Sequence, residues 1–285
     1  MYKCNDCNRQ FLDTKRVNKE ELYSEYVFGK QTIKQLSLKY EVSFKTVQRK
    51  LNSHKPQRLI SRDKSVVILM DTTYWGWSFG VVVFKDAKTK KIIWHKYIRK
   101  KETLFDYQEG IDWLTVHGFK IKGIVCDGLR GMFSHFSSYP VQMCQFHQIS
   151  IVRGYLTKEP ELEASKELLR IVKTMTHTDK ESFIAMFSMW ESKWTAFLKE
   201  RSYDSKTGKK RYTHSRLRSA WLSLKRNMKY LWTWYDHMEL GIPNTNNALE
   251  GVFTDLKTKL RNHNGLSKSH RKIFIDEYFK SCFKY

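Results

Sequence analysis

Three acids occupy positions where chemistry could use them. In "SVVILMDTTYWG" the apolar run Val66 to Met70 drives straight into Asp71, and in "IKGIVCDG" a second apolar run ends at Asp127. In "NTNNALEGVF" Glu250 falls about one turn inside a helical pattern. A lone charge is costly to bury unless it is paired, hydrogen-bonded or holding a metal, so acids at the ends of buried strands call for company. Two strand-end aspartates and a helical glutamate suit a pair of Mg²⁺ (or Mn²⁺) ions, hard cations that prefer oxygen ligands. Two such ions roughly 3.5–4 Å apart stabilise the entering and leaving oxygens of an in-line phosphoryl displacement. Each acid alone reads equally well as a surface residue or a cap. Asp255, five residues beyond Glu250, is expected to point elsewhere and to be solvated.

The five cysteines, Cys4, Cys7, Cys126, Cys144 and Cys282, are odd in number and irregularly spread, which does not describe a disulfide framework. "Cys4-Asn-Asp-Cys7" supplies two of the four ligands of a structural Zn²⁺ ribbon; two free cysteines are the alternative. Cys144 and His147 in "MCQFHQ" are likewise half of a zinc site. With no complementary pair near them in the sequence, core packing or positioning of DNA is the favoured reading.

These residues need elements to hold them. "QTIKQLSLKYEVSFKTVQRKLNSH" reads as a helix-turn-helix. Ile33, Leu36 and Leu38 form an apolar face, Ser43 is the N-cap, and Val47 and Leu51 point inward on the second helix. Lys45, Gln48, Arg49 and Lys50 then face outward, as phosphate and base-edge contacts require. "HKPQRLISRDK" is a basic linker broken at Pro56. Strands are predicted at Val66 to Met70, Trp77 to Phe84 and Ile92 to Ile98, joined as an antiparallel meander. A helix follows, ending near Gly118, and then the strand that carries Asp127. A right-handed crossover lets that strand lie parallel to the first, so Asp71 and Asp127 open on one edge of the sheet. This is the order of a ribonuclease H-like α/β fold with a mixed five-stranded sheet. Residues 151–240 are expected to be an all-helical insertion whose tryptophans are core. The predicted organisation is a partial zinc ribbon at 1–12, a helix-turn-helix at 13–58 and a catalytic core made of 62–150 and 241–285.

Charge points to the partner. Fifty-two Lys and Arg against twenty-nine Asp and Glu give +23 over 285 residues, and the sequence pI is near 9.7. So large a surplus favours a polyanion, nucleic acid first. No apolar run approaches the ~20 residues that cross a bilayer, and the start "MYKCNDCNRQF" lacks an apolar leader region. A cytoplasmic, nucleoid-associated protein is expected, with no membrane partner.

The motifs "MDTTYWG", "CDGLRG", "CQFHQ" and "NNALEG", in this order, resemble those of the DDE transposases of bacterial insertion sequences in the Mutator-like superfamily. The likeness covers roughly residues 60–280, and the N-terminal layout fits it. The resemblance implies metal binding by Asp71, Asp127 and Glu250, and cutting and joining of double-stranded DNA at the ends of a mobile element through a 3′-hydroxyl. It also implies terminal inverted repeats and target DNA as partners, and a homodimer or higher oligomer on DNA. Arg130 would contact a phosphate. The incomplete ribbon and the end of the chain soon after the glutamate helix are what truncation of such an element would leave. A catalytically inactive DNA-binding regulator and a structure-specific nuclease of the same fold are the rival expectations.

Overall fold

The computed structural model describes residues 2–11, 17–54, 64–76, 78–203 and 208–281. The linker around Pro56, the expected strand start at Trp77, and Cys282 lie outside the described residues. The chain divides into two compact units, one of residues 1–59 and 253–285 and one of residues 60–252.

In the first unit, β1 (Tyr2–Lys3) and β2 (Gln10–Phe11) pair antiparallel around the Cys4–Cys7 turn. Helix α1 (Lys19–Val27) starts at Asn18, whose side chain accepts from the Glu20 N–H. Helix α2 (Ile33–Lys39) opens with a reciprocal Thr32–Gln35 capping box. Glu41, in the left-handed region at φ +53°, turns the chain. Helix α3 (Phe44–Asn52) begins at Ser43, whose hydroxyl accepts from the Thr46 N–H. Leu36, Val47 and Leu51 are buried as expected, but Leu38 is 71% exposed. Two residues correspond to about 200° of helical rotation, so Leu38 cannot share a face with Leu36. Lys45, Gln48 and Arg49 are exposed. Lys50 is half-buried and donates to the Val17 carbonyl at 3.1 Å, a structural use that removes it from the outward set.

Residues 253–285 cluster with this unit and not with the sheet, unlike the sequence grouping of 241–285. The helix Lys268–Ser281 presents Phe274 and Ile275, both fully buried. Tyr26 meets Phe274 edge-on at 6.0 Å, and His54 Nε2 lies 2.8 Å from Glu277 Oε2.

In the second unit the strands are β3 (Ser65–Trp75), β4 (Phe79–Asp86), β5 (Ile92–Ile98), β6 (Lys120–Cys126) and β7 (Val141–Met143), with α4 (Leu104–Val116) between β5 and β6 and α5 (Met132–His135) between β6 and β7. They form one sheet in the order β5-β4-β3-β6-β7. β3, β4 and β5 run antiparallel, while β3, β6 and β7 run parallel. That order with those directions is the ribonuclease H-like mixed sheet. All eight residues of β4 are buried, as a central strand covered on both faces requires. α4 buries Tyr107, Ile111 and Leu114. At Gly110 an added Cβ would lie 2.5 Å from the Phe84 ring, so the helix packs this closely only with glycine.

The insertion comprises α6 (Gln145–Leu156), α7 (Glu163–Thr174), α8 (Lys180–Lys199), the strands β8 (Arg201–Tyr203) and β9 (Lys210–Tyr212), α9 (Ser215–Leu231) and α10 (Thr233–Asp236). It is helical apart from the β8–β9 hairpin, where an all-helical segment was expected. Gly208, at φ +65°, helps turn the chain there, and Tyr212 is covered by the Arg201 and Arg218 guanidinium groups at 4.3 and 4.0 Å. Trp190 and Trp232 are core, and Trp194, Trp221 and Trp234 pack partly buried against it; Trp190 Nε1–H donates to the Ala164 carbonyl, and Trp194 and Trp221 donate to Glu167 and Glu191. The last helix of this unit, α11 (Asn247–Arg261), contributes its first turn here. None of the described helices is long and apolar enough to cross a membrane.

Candidate active site and metal centre

Sheet register aligns the first two acids. β3 and β6 pair in parallel with Leu69 opposite Val125, so Asp71 and Asp127 each lie two residues beyond that pair on adjacent strands. β6 and β7 pair with Cys126 opposite Met143, which puts Cys144 next in line after Asp127. The Cys144 N–H donates to the Cys126 carbonyl at 2.8 Å. Asp71 is not at a strand end, as the apolar run suggested: β3 continues to Trp75. It lies instead just past the point where β3 parts from β6 and keeps β4 alone. There the Thr72 N–H donates to Asp71 Oδ1 at 2.7 Å, and the Leu129 N–H donates to Asp127 Oδ1 at 3.1 Å.

Glu250 reaches this edge through Asn246. α11 begins at Asn247, so Glu250 stands in its first turn. Asn246 precedes it, with its carbonyl accepting from the Leu249 and Glu250 N–H groups. Fully buried Asn246 ties three segments together. Its Nδ2–H donates to the Met70 carbonyl at 3.1 Å, and its backbone N–H donates to Cys144 Sγ at 3.2 Å. Its Oδ1 is buried with no hydrogen-bond partner. The Lys85 Nζ, from β4, donates to the Ala248 carbonyl at 2.7 Å and steadies the same turn.

Electrostatics connect the three acids. Burial pushes the Asp71 carboxyl up to about 7; the charges of Asp127, Glu250 and Glu102 push the same way, against the Thr72 hydrogen bond that lowers it. Clustered carboxylates behave in this way when no countercharge is present. An all-oxygen, charge-excess donor set of this kind fits hard divalent cations.

Glu102 was missed by sequence reasoning. It directly precedes Thr103, the N-cap of α4, and its backbone N–H donates to Tyr74 Oη at 2.9 Å. Its Oε2 is buried without a hydrogen-bond partner, and its carboxyl is raised by burial and then by Asp127 and Asp106. No periodicity marks this position; only the fold brings it to the edge.

Cys144, His147 and Glu250 form a second grouping. One ligand atom from each lies within 4.8 Å of the others, and His147 Nδ1 is 3.7 Å from Glu250 Oε1. The Cys144 side chain is the largest influence raising the His147 imidazole; burial lowers it, and the charges of Glu250 and Asp127 add to the rise. Among the described residues no third metal-ligating side chain joins Cys4 and Cys7. Hydrogen bonds from the Cys7 and Asp6 backbone lower the Cys4 thiol. Arg130 is exposed three residues beyond Asp127. Asp255 is exposed, as expected; burial raises its carboxyl, but Lys259 at 2.7 Å and the Tyr278 Oη–H, which donates to it at 2.6 Å, hold it low.

No family model and no curated protein matches the chain. Among solved structures it is similar to a chain of the Drosophila P element transposase strand transfer complex, at 12% identity over 96% of this chain and 93% of that one, with a TM-score of 0.41. It is also similar to a chain of the simian T-cell lymphotropic virus intasome in complex with PP2A regulatory subunit B56 gamma, at 14% identity over 57% and 69%, TM-score 0.23. A third likeness is to the Mos1 strand transfer complex, at 13% identity over 67% and 79%, TM-score 0.20. At these scores the likenesses carry no weight; the fold rests on strand order and direction.

Proposed function

We propose that the protein is a DNA transposase of the DDE kind, cleaving DNA at the ends of a mobile element and joining the freed 3′-hydroxyl to target DNA. The observation that carries this reading is the convergence of Asp71, Asp127 and Glu250 at one sheet edge, where the field of the other two acids reaches the mostly buried Asp71. Divalent cations bound by these carboxylates would supply charge neutralisation at the entering and leaving oxygens of the phosphate. The chain itself contributes orientation. The parallel β3–β6 register carries Asp71 and Asp127 to the same level of the edge, and Asn246 anchors the turn before Glu250. Exposed Arg130 is offered to a neighbouring phosphate, and Lys45, Gln48 and Arg49 to the terminal repeats. Assembly as a dimer or larger complex on DNA belongs to the same proposal, as does origin in a bacterial insertion sequence of the Mutator-like kind.

The test uses duplexes carrying the DNA that flanks the coding region, with Mg²⁺ or Mn²⁺, and in parallel a pre-cleaved 3′-end with a target plasmid. Joined products are expected from the second substrate; cuts without joining would make the protein a nuclease. Asp71→Asn should bind DNA nearly as tightly and lose cleavage by at least a hundredfold. Undiminished cleavage by that variant would remove Asp71 from the mechanism. DNA binding with neither cutting nor joining by the unaltered protein would leave a regulator.

A further inference from the structure

The corner where β7 passes into α6 holds donor atoms of a different chemical character from the carboxylates beside them. Cys144 is the residue that opens α6 and His147 stands one turn inside it, so both side chains face the same way. Glu250 enters from the first turn of α11. We propose that Cys144 Sγ, His147 Nδ1 and the Glu250 carboxylate form a three-ligand site for a divalent transition metal of the zinc class, with water as the fourth ligand. The site shares Glu250 with the proposed phosphoryl-transfer centre but does not depend on that reading.

Ligand type selects the metal. A thiolate with an imidazole suits zinc or cobalt and does not suit Mg²⁺, which takes oxygen. Geometry agrees: bonds of about 2.0–2.3 Å at tetrahedral angles separate ligand atoms by roughly 3.3–3.8 Å. The His147–Glu250 separation is 3.7 Å, and all three donors already lie within 4.8 Å. Two further observations point to a missing ligand. His147 Nδ1 is buried with no hydrogen-bond partner. Cys144 Sγ, fully buried just before α6, accepts the Asn246 N–H at 3.2 Å and lies within 4.8 Å of the His147 and Glu250 donor atoms. His147 and Glu250 keep 32% and 39% of their side chains exposed, which leaves an approach for the ion and its water. Loading would transfer the Cys144 thiol proton to solvent, one per ion bound.

The experiment is a cobalt titration of the full-length, metal-free, reduced protein in a Cys4→Ser/Cys7→Ser background, which removes the ribbon cysteines as a source of thiolate signal. A thiolate-to-cobalt charge-transfer band with tetrahedral visible bands is expected at one equivalent, together with displacement by zinc. Cys144→Ser should abolish the charge-transfer band, and Glu250→Gln should weaken cobalt binding at least tenfold. Glu250 is partly exposed and glutamine preserves its shape, so that variant keeps its fold, checked by its metal-free melting curve. Asp71→Asn should leave the band unchanged. No band in the cysteine-reduced background, or a band unaffected by Cys144→Ser, would overturn the proposal. Band formation without DNA cleavage would instead count against the transposase reading and leave the metal site standing.

Discussion

Asp71 is the residue on which charge and burial meet. Its carboxyl, held at about 7 by burial first and by Asp127, Glu250 and Glu102 after it, has its ordinary value at 3.8. A raised carboxyl favours the folded state below its unfolded value and loses that contribution as pH rises through the folded one. In metal-free protein, stability is therefore expected to fall between about pH 4 and 7, by at most about 4 kcal/mol from this group. Thermal melts in a chelator should show this slope, and Asp71→Asn should flatten it. Addition of Mg²⁺ at pH 8 should restore the unaltered protein and do little for the variant; parallel pH profiles for the two proteins would contradict the assignment. The two aspartates were legible in the sequence because each ends an apolar run, a local signal. Glu102 was not, because its place at the edge comes from the Tyr74 contact and the start of α4, both tertiary. The link between Cys144, His147 and Glu250 was equally hidden. Its two halves lie about a hundred residues apart, and only the register of β7 and the Asn246 bonds bring them together.

At the scale of elements, the turn before α11 and the helix α4 carry the strongest constraints. Asn246→Ala removes the hydrogen bond to the Met70 carbonyl and leaves that acceptor buried, a loss of about 1–3 kcal/mol. It should also lower cleavage more than DNA binding, because it releases the turn that carries Glu250. A variant that loses both equally would assign Asn246 a purely structural role. On α4, Gly110→Ala gains helix propensity of about 1 kcal/mol but drives a Cβ into the buried Phe84 ring. Overpacking of this sort costs roughly 1–3 kcal/mol, so a net loss is expected in denaturant melts. The mixed sheet was readable from an antiparallel meander followed by strands that alternate with helices, while the hairpin β8–β9 was not. Its strands are three residues each, too short to show a period, and they are held by guanidinium groups stacked on Tyr212. Leu38 shows the opposite failure. An apolar residue inside a helical segment was assigned to the core on composition, and helical rotation put it in solvent.

Across the whole molecule the surplus of +23 favours a polyanionic partner, and under the proposed function that partner is DNA. Neutralised phosphates release counterions, so affinity should drop about a thousandfold or more between roughly 50 and 200 mM salt if six or more phosphates are contacted. Lys45→Ala with Arg49→Ala should weaken binding to all sequences and reduce the salt slope by about 2, whereas Gln48→Ala should change sequence preference and leave the slope alone. Fluorescence anisotropy across a salt series measures both. A salt slope unchanged by the double variant would exclude α3 from the phosphate contacts.

The parting of β3 from β6 after Leu69 has one more implication. Paired strands stand about 4.8 Å apart, so two more rungs of ladder would fasten Asp71 and Asp127 shoulder to shoulder with no space for an ion's hydration water between their backbones. Hydrogen bonding, by stopping at Leu69 and Val125, leaves the two aspartates outside the ladder at the proposed metal site. A change that favours longer pairing of these two strands would narrow the gap between the aspartates while making the sheet more regular, a gain in order that would cost the proposed cleavage activity.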